Sequence, residues 1–214
     1  MHHLKVNYLL EIIKSTDLPV ETDFTLDVNH HYLKGKGEEL LDEVFLDLGG
    51  KGATPLLERL KFDFKINRFV FIYDDEVHFN RYRLISLKCS IYDAFSFPWR
   101  DAYLRLCRNF ERECQKAGSQ ERIWNGPPLA SKVFGKSGDY GDLNGSGSSG
   151  WKLNAYNDAQ YDLLSRLHGY RLIRIPMYEN LMIGGSLRKI DDLLIRPAES
   201  FELGIKNWFQ RKLI

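Results

Sequence analysis

The chain has 214 residues, 43% hydrophobic and 28% charged, which fits an ordinary water-soluble domain large enough to form a core without staples. Thirty Lys and Arg against 29 Asp and Glu leave a net charge of +1, which excludes a polybasic binder but not a local basic face. No apolar run approaches the ~20 residues of a bilayer span. The N-terminal segment lacks the pattern of a secretory signal, and three irregularly spaced cysteines suit a reducing, cytoplasmic compartment.

Residues 4–13 read as a short helix that stops before Thr16-Asp17. A second helix is expected after Gly37, because Leu40, Leu41, Val44, Phe45 and Leu48 recur at 3.6-residue spacing. Glu38 and Glu39 stand at its positive end, and Gly49-Gly50 supplies a left-handed stop. Residues 60–66 (LKFDFKI) then alternate as a strand. After Asn67-Arg68, residues 69–75 (FVFIYDD) are apolar on both faces until they reach their acids, which marks a central strand. The two-residue connection makes the pair a hairpin. Residues 84–93 fit either a third strand or the start of a helix.

Residues 100–117 are expected to form one helix, with Tyr103, Cys107, Phe110 and Cys114 on its inner stripe. There the cysteines read as small apolar residues rather than metal ligands. Residues 118–150 are rich in Gly, Ser, Asn and Asp and read as a loop or disordered stretch. Their GSGSSG segment is either a natural loop or a laboratory linker. A helix over 157–167, closed by Gly169, precedes a strand over 170–175 that ends at Pro176. Gly184-Gly185 then leads into a short helix over 187–194, and Pro197 opens a final one. Mixed strands and helices with a hairpin first predict an α/β fold with a mixed central sheet flanked by helices.

The chemistry-bearing residues gather around the hairpin. Asp63 and Asp74 fall on its two strands, near one end, and could share a divalent cation. Magnesium suits such a site: one or two carboxylates, retained waters and a phosphate oxygen. Asp75, Glu76 and His78 follow, then Arg81 and Arg83, which could grip phosphate oxygens. Asp-Asp-Glu is also good turn composition, and Asp63 between two phenylalanines faces either solvent or a site. Between residues 100 and 124, Arg100, Arg105, Arg108, Arg112, Lys116 and Arg122 alternate with Tyr103 and Trp124. They could track a nucleic-acid backbone. Asp101, Glu111, Glu113 and Glu121 offset that charge, and a solvated face laced with i,i+4 pairs is the plainer expectation. There is no phosphate loop, GxSxG elbow, HExxH or CxxC.

The succession FDFKI, FVFIYDDEVHF, a helix and GYRLIRI resembles the PD-(D/E)XK, or restriction-endonuclease-like, superfamily, nearest its very-short-patch-repair branch. It is also similar to an uncharacterised bacterial group of that type. The resemblance covers residues 37–90 and 151–176 as the nuclease-like core of a single domain. Residues 91–150 would then be an insertion with a flexible loop, and 177–214 C-terminal helices. It implies magnesium- or manganese-dependent DNA cleavage by a repair or defence nuclease. Asp63 and Asp74 would ligate the metal, Glu43 or Glu39 would be a first-helix acid, and Asp158 would support the site. His78 or Lys65 would move the proton, and Arg81, Arg83 and Arg174 would hold DNA.

The pattern departs at Ile72, where active members carry a catalytic Glu. This motivates an alternative, a decayed domain that binds nucleic acid or protein. Trp99 and Trp124 in the insertion would then be candidate anchors for a protein partner.

Overall fold

The computed structural model describes residues 2–117 and 121–213. In chain order the first half runs α1 (His2–Lys14), β1 (Val20–Thr22), β2 (Thr25–Asp27), α2 (Lys36–Asp47), β3 (Arg59–Lys61), β4 (Phe64–Ile66) and β5 (Phe69–Asp74). Helices follow: α3 (Arg81–Ser86), α4 (Ile91–Ala94), α5 (Arg100–Asn109), α6 (Glu111–Ala117), α7 (Glu121–Asn125), α8 (Pro128–Phe134) and α9 (Ser149–Leu167). The chain closes with β6 (Arg171–Pro176), β7 (Asn180–Ile183), β8 (Ser186–Lys189), α10 (Ile190–Ile195) and α11 (Glu199–Arg211). The fold is mixed α/β. It has two compact units, one of Met1–Leu26, Lys61–Asp75 and Gly169–Ile214, the other of Asp27–Leu60 and Glu76–His168.

The first unit holds a four-stranded sheet in the order β1-β4-β5-β6. β4 and β5 are antiparallel about Asn67-Arg68, with Phe64 opposite Phe71, and Asn67 takes the positive φ of 54° that a tight hairpin turn needs. β5 runs parallel to β6 with Ile72 opposite Arg174, so the sheet is mixed, as expected, and β5 has a neighbour on each side. Leu60, Phe62, Phe64 and Ile66 are all buried, which bears out the alternation. The expected single strand over 60–66 is nonetheless two, because the backbone changes partner at Phe62-Asp63. Phe62 N–H donates to Phe24 O, whereas Asp63 N–H donates to Phe71 O. Phe209 of α11 packs on Phe64 and Phe71 and covers that face of the sheet.

A short helix over 187–194 is not what forms. Residues 180–189 are a hairpin, β7 with β8, turning on Gly184 and Gly185 at φ 58° and 77°. Two successive positive φ values match the turn that strand twist favours, and α10 starts only at Ile190.

In the second unit the regular elements among the described residues are helices, apart from the strand residues at its boundaries. The open segment 84–93 is helical, as α3 and α4. The expected helix over 100–117 is divided into α5 and α6 at Phe110, whose φ is −116°. The segment 118–150, expected to be loop or disorder, holds two helices and buries Trp124, Ala130, Val133, Phe134 and residues 147–150 while most of the rest stays at the surface; its residues 118–120 lie outside the described residues. α7 and α8 form within it. Ser148 Oγ–H donates to Trp124 O and accepts from Trp151 N–H, capping α9, which therefore starts at Ser149 rather than at 157. A Cβ on Gly150 would stand 2.2 Å from Ile123 O, so only glycine permits this contact. Trp99 and Trp124 are buried, Trp99 on Tyr103 and Trp124 on Trp151, so neither is displayed as an anchor. All three cysteines are buried and unbridged.

Candidate functional site

In the first unit, α1 delivers His2 and Lys5 to the acids around the hairpin. Asp63, at the break before β4, accepts the Tyr73 backbone N–H on Oδ2 at 2.7 Å. Its Oδ1 is 3.0 Å from His2 Nε2, and His2 Nδ1 is 2.8 Å from Asp75 Oδ2. Ionised carboxylates only accept, so both ring nitrogens must carry a proton. His2 is therefore an imidazolium shared by two carboxylates. Its hydrogen bond to Asp63, then that to Asp75, pushes its pKa from 6.5 up to about 10 against the opposing effect of burial.

One turn on, Lys5 Nζ reaches Asp75 Oδ1 at 3.0 Å and Asp191 Oδ1 at 2.6 Å. Burial works to lower the lysine's pKa, but hydrogen bonds to Asp191 and Asp75 leave it raised. Burial works to raise Asp75, and its bonds with His2 and Lys5 leave it lowered. Tyr73 O–H donates to Asp191 Oδ1 at 2.6 Å. The result is three acids, two cations and a phenol in one network. The side chains of Asp63 (19% exposed), Asp75 (24%) and His2 (34%) remain within reach of solvent.

Asp74 is held differently. The parallel register puts Arg174 beside Ile72, and its Nη1 donates to both Asp74 oxygens at 3.0 and 2.9 Å. Both side chains are 0% exposed. Lys65 turns to Glu21 at 2.6 Å and lies over the Phe24 ring. Of the hairpin residues expected to form the site, Asp63 alone joins the His2 network by a described contact, and its nearest acidic companion there is Asp75.

In the second unit, α9 places Asp158 and Asp162 four residues apart on one face. His78 Nδ1 is 2.9 Å from Asp158 Oδ2, and Arg83 Nη2 donates to Asp162 Oδ2 at 2.6 Å. Arg83 Nε lies 3.7 Å from Asp158, so that carboxylate stands between the histidine and the arginine. The Arg83–Asp162 pair is sealed, with 1% and 0% exposure. Arg81 forms a two-pronged pair with Glu111, each contact 2.9 Å.

Glu43 of α2 accepts from Ser90 N–H at 3.0 Å and from its hydroxyl. The ligand atoms of Glu43, Asp47 and Cys89 lie within 4.8 Å of one another, a spacing that could hold a metal ion. Burial first, and Asp47 beside it, push the Cys89 thiol up to about 12, so that it stays protonated.

Sequence reasoning missed His2, Lys5 and Asp191. The i,i+3 spacing of His2 and Lys5 was the available signal, since it puts both on one face of α1. Asp75 was named in the acid run after the hairpin, with a turn as the alternative, but not as a metal ligand.

No curated protein and no solved structure matches this chain. The model of one family does match, over residues 43–196. The chain belongs to DUF7255, a family of unknown function.

Proposed function

We propose that this protein is a metal-dependent DNA phosphodiesterase of restriction-endonuclease-like type, acting in repair or defence in the cytoplasm. The order of elements supports it: a hairpin whose second strand runs parallel to a later strand, with the acids at the hairpin's end. Three buried, unbridged cysteines accord with a reducing compartment.

One observation carries the reading: Asp63 and Asp75 present two carboxylates, about a fifth to a quarter exposed, that already share one cation, the His2 imidazolium. The donor set fits magnesium or manganese, which take one or two carboxylates and keep several waters. Asp63 and Asp75 would hold the ion once His2 swings aside. Asp74 would join them only if Arg174 released it. A bound Mg²⁺ would supply charge neutralisation at phosphate and a more acidic water. Asp191 and Tyr73 fix Lys5 beside Asp75, where its charge would steady a phosphate oxygen.

The test is cleavage of labelled duplex and single-stranded DNA in manganese. The parent should cut, EDTA should stop it, and Asp63→Asn should lower the rate by at least the ~10–100-fold that loss of an outer partner of a metal costs. Cleavage undiminished in Asp63→Asn would overturn the assignment.

A second reading has its own support. Asp74 is sealed against Arg174 and Asp63 is occupied by His2, so both acids expected to ligate metal have an internal cation. A decayed domain that binds nucleic acid or protein would look this way. It would bind with no metal dependence and cut nothing.

A further inference from the structure

We infer that the exposed arginine face of α5 and α6 is the surface that holds the phosphate backbone of duplex DNA, an inference that takes its ligand from the DNA reading above but does not depend on cleavage. Tyr103, Cys107 and Cys114 are buried and fix which side of the two helices faces inward. The chain bends at Phe110, where α5 ends and α6 begins: Phe110 N–H closes α5 on Leu106 O, and Phe110 O accepts from Cys114 N–H at the start of α6. On the outer side Arg105, Arg108, Arg112 and Lys116 are all exposed. Arg105 and Arg108 are neighbours three apart on α5, and Arg112 and Lys116 are neighbours four apart on α6, so each helix contributes one pair to the row.

The row has none of the internal neutralisation expected of a solvated helix. Among the described residues, none of these four side chains has an ion-pair or hydrogen-bond partner. Other arginines of the same unit do: Arg81 with Glu111, Arg83 with Asp162 and Arg100 with Asp93. Glu111, the acid best placed to lace the helix face, is spent on Arg81. Over residues 101–117 the exposed acids are Asp101 and Glu113, two against four cations. Arg112 and Lys116 are like charges at i,i+4 on α6, an arrangement that works against the free helix. An external polyanion removes that repulsion.

DNA is the occupant the chemistry favours. The chain as a whole is only +1, so this is a local concentration of charge. Arginine forks match phosphate oxygens, and duplex DNA offers one charge per ~1.7 Å of axis. Arg83 and Arg174, expected to hold phosphate, are buried on Asp162 and Asp74. Backbone contact of this kind carries no sequence preference.

The experiment is fluorescence anisotropy of the full chain with a labelled mixed-sequence duplex in EDTA, over a series of salt concentrations. The compared variant is Arg105→Gln/Arg108→Gln/Arg112→Gln/Lys116→Gln, with circular dichroism to confirm that it folds. A Lys132→Gln/Lys136→Gln variant, also at exposed positions, is the control. The row should account for a slope of log affinity on log salt that falls by ~3.6 in the quadruple variant, at ~0.9 per phosphate contact. The control should keep the parent slope.

Equal affinity and slope in parent and quadruple variant would overturn the inference. So would a parent that does not bind, a control that loses as much per residue, or equal displacement by polyglutamate, which would point to an acidic protein. Row-dependent binding without cleavage in manganese would sink the nuclease reading alone. Cleavage with row-independent binding would sink this inference alone.

Discussion

Among the described residues, each unit of this protein contains a sealed ion pair beside more accessible ones, and the contrast between them sorts structural charges from chemical ones. In the first unit Asp74 and Arg174 are wholly buried, whereas Asp63 and Asp75 meet solvent around His2. In the second, Arg83 and Asp162 are sealed, whereas His78 is 24% exposed beside Asp158. Removing one member of a buried pair leaves an uncompensated charge in a poor solvent for it, and costs far more than the pair itself contributes. An accessible pair is screened by water and exchanges partners cheaply. A cation or substrate can therefore compete for Asp63, Asp75 or His78, but not easily for Asp74 or Asp162.

The largest effects should follow from opening the sealed pairs. Arg174→Met should cost about 3–5 kcal/mol in urea unfolding by removing the charge that compensates buried Asp74, and Arg83→Met should cost a similar amount at Asp162. Asp74→Leu/Arg174→Met together should recover most of that loss, since an apolar pair needs no desolvation of charge. A double variant as unstable as the single would mean that Asp74 serves something other than Arg174, and the contrast would fail.

Smaller effects are expected at the accessible cluster. His2 has its folded pKa raised from 6.5 to about 10, so its stabilisation is complete below pH 6.5 and is lost as pH rises through 10. The groups facing it are Asp63 and Asp75, with Lys5 and Asp191 behind them. Parent Tm should fall across that window more than the Tm of His2→Gln. The difference should be about 1 kcal/mol or less, because the pair is partly exposed. Identical profiles would show that His2 is not an imidazolium in the folded chain. Lys65→Met, which removes the partner of the exposed Glu21, should matter least, within about 1 kcal/mol.

The legible parts of this molecule were those fixed by local pattern. The alternation through Leu60, Phe62, Phe64 and Ile66 showed a strand, and Asn67-Arg68 showed its turn. The mixed sheet followed from a hairpin and a later strand. Elements fixed by tertiary contact were not legible. Glycine- and serine-rich composition marked 144–150 as loose, yet Gly126 and Gly150 approach closely enough that side chains there would collide. The β7–β8 hairpin was hidden because its strands lack a clear apolar alternation, and Gly184-Gly185 serves a turn as readily as a helix start.

At the site the same division holds. Asp63 stood out because an acid between two buried aromatics needs a reason. His2 and Lys5 did not, because the face of α1 that carries them acquires meaning only once the helix is docked. Ile72 warned of a missing acid, and the structure places Arg174 beside it.

Calorimetric titration with manganese tests most directly whether Asp63 and Asp75 share an exchangeable cation. The parent should bind one ion weakly, His2→Ala should bind it more tightly because the competing imidazolium is gone, and Asp63→Asn should give no heat. Absence of heat in both the parent and His2→Ala would contradict the account.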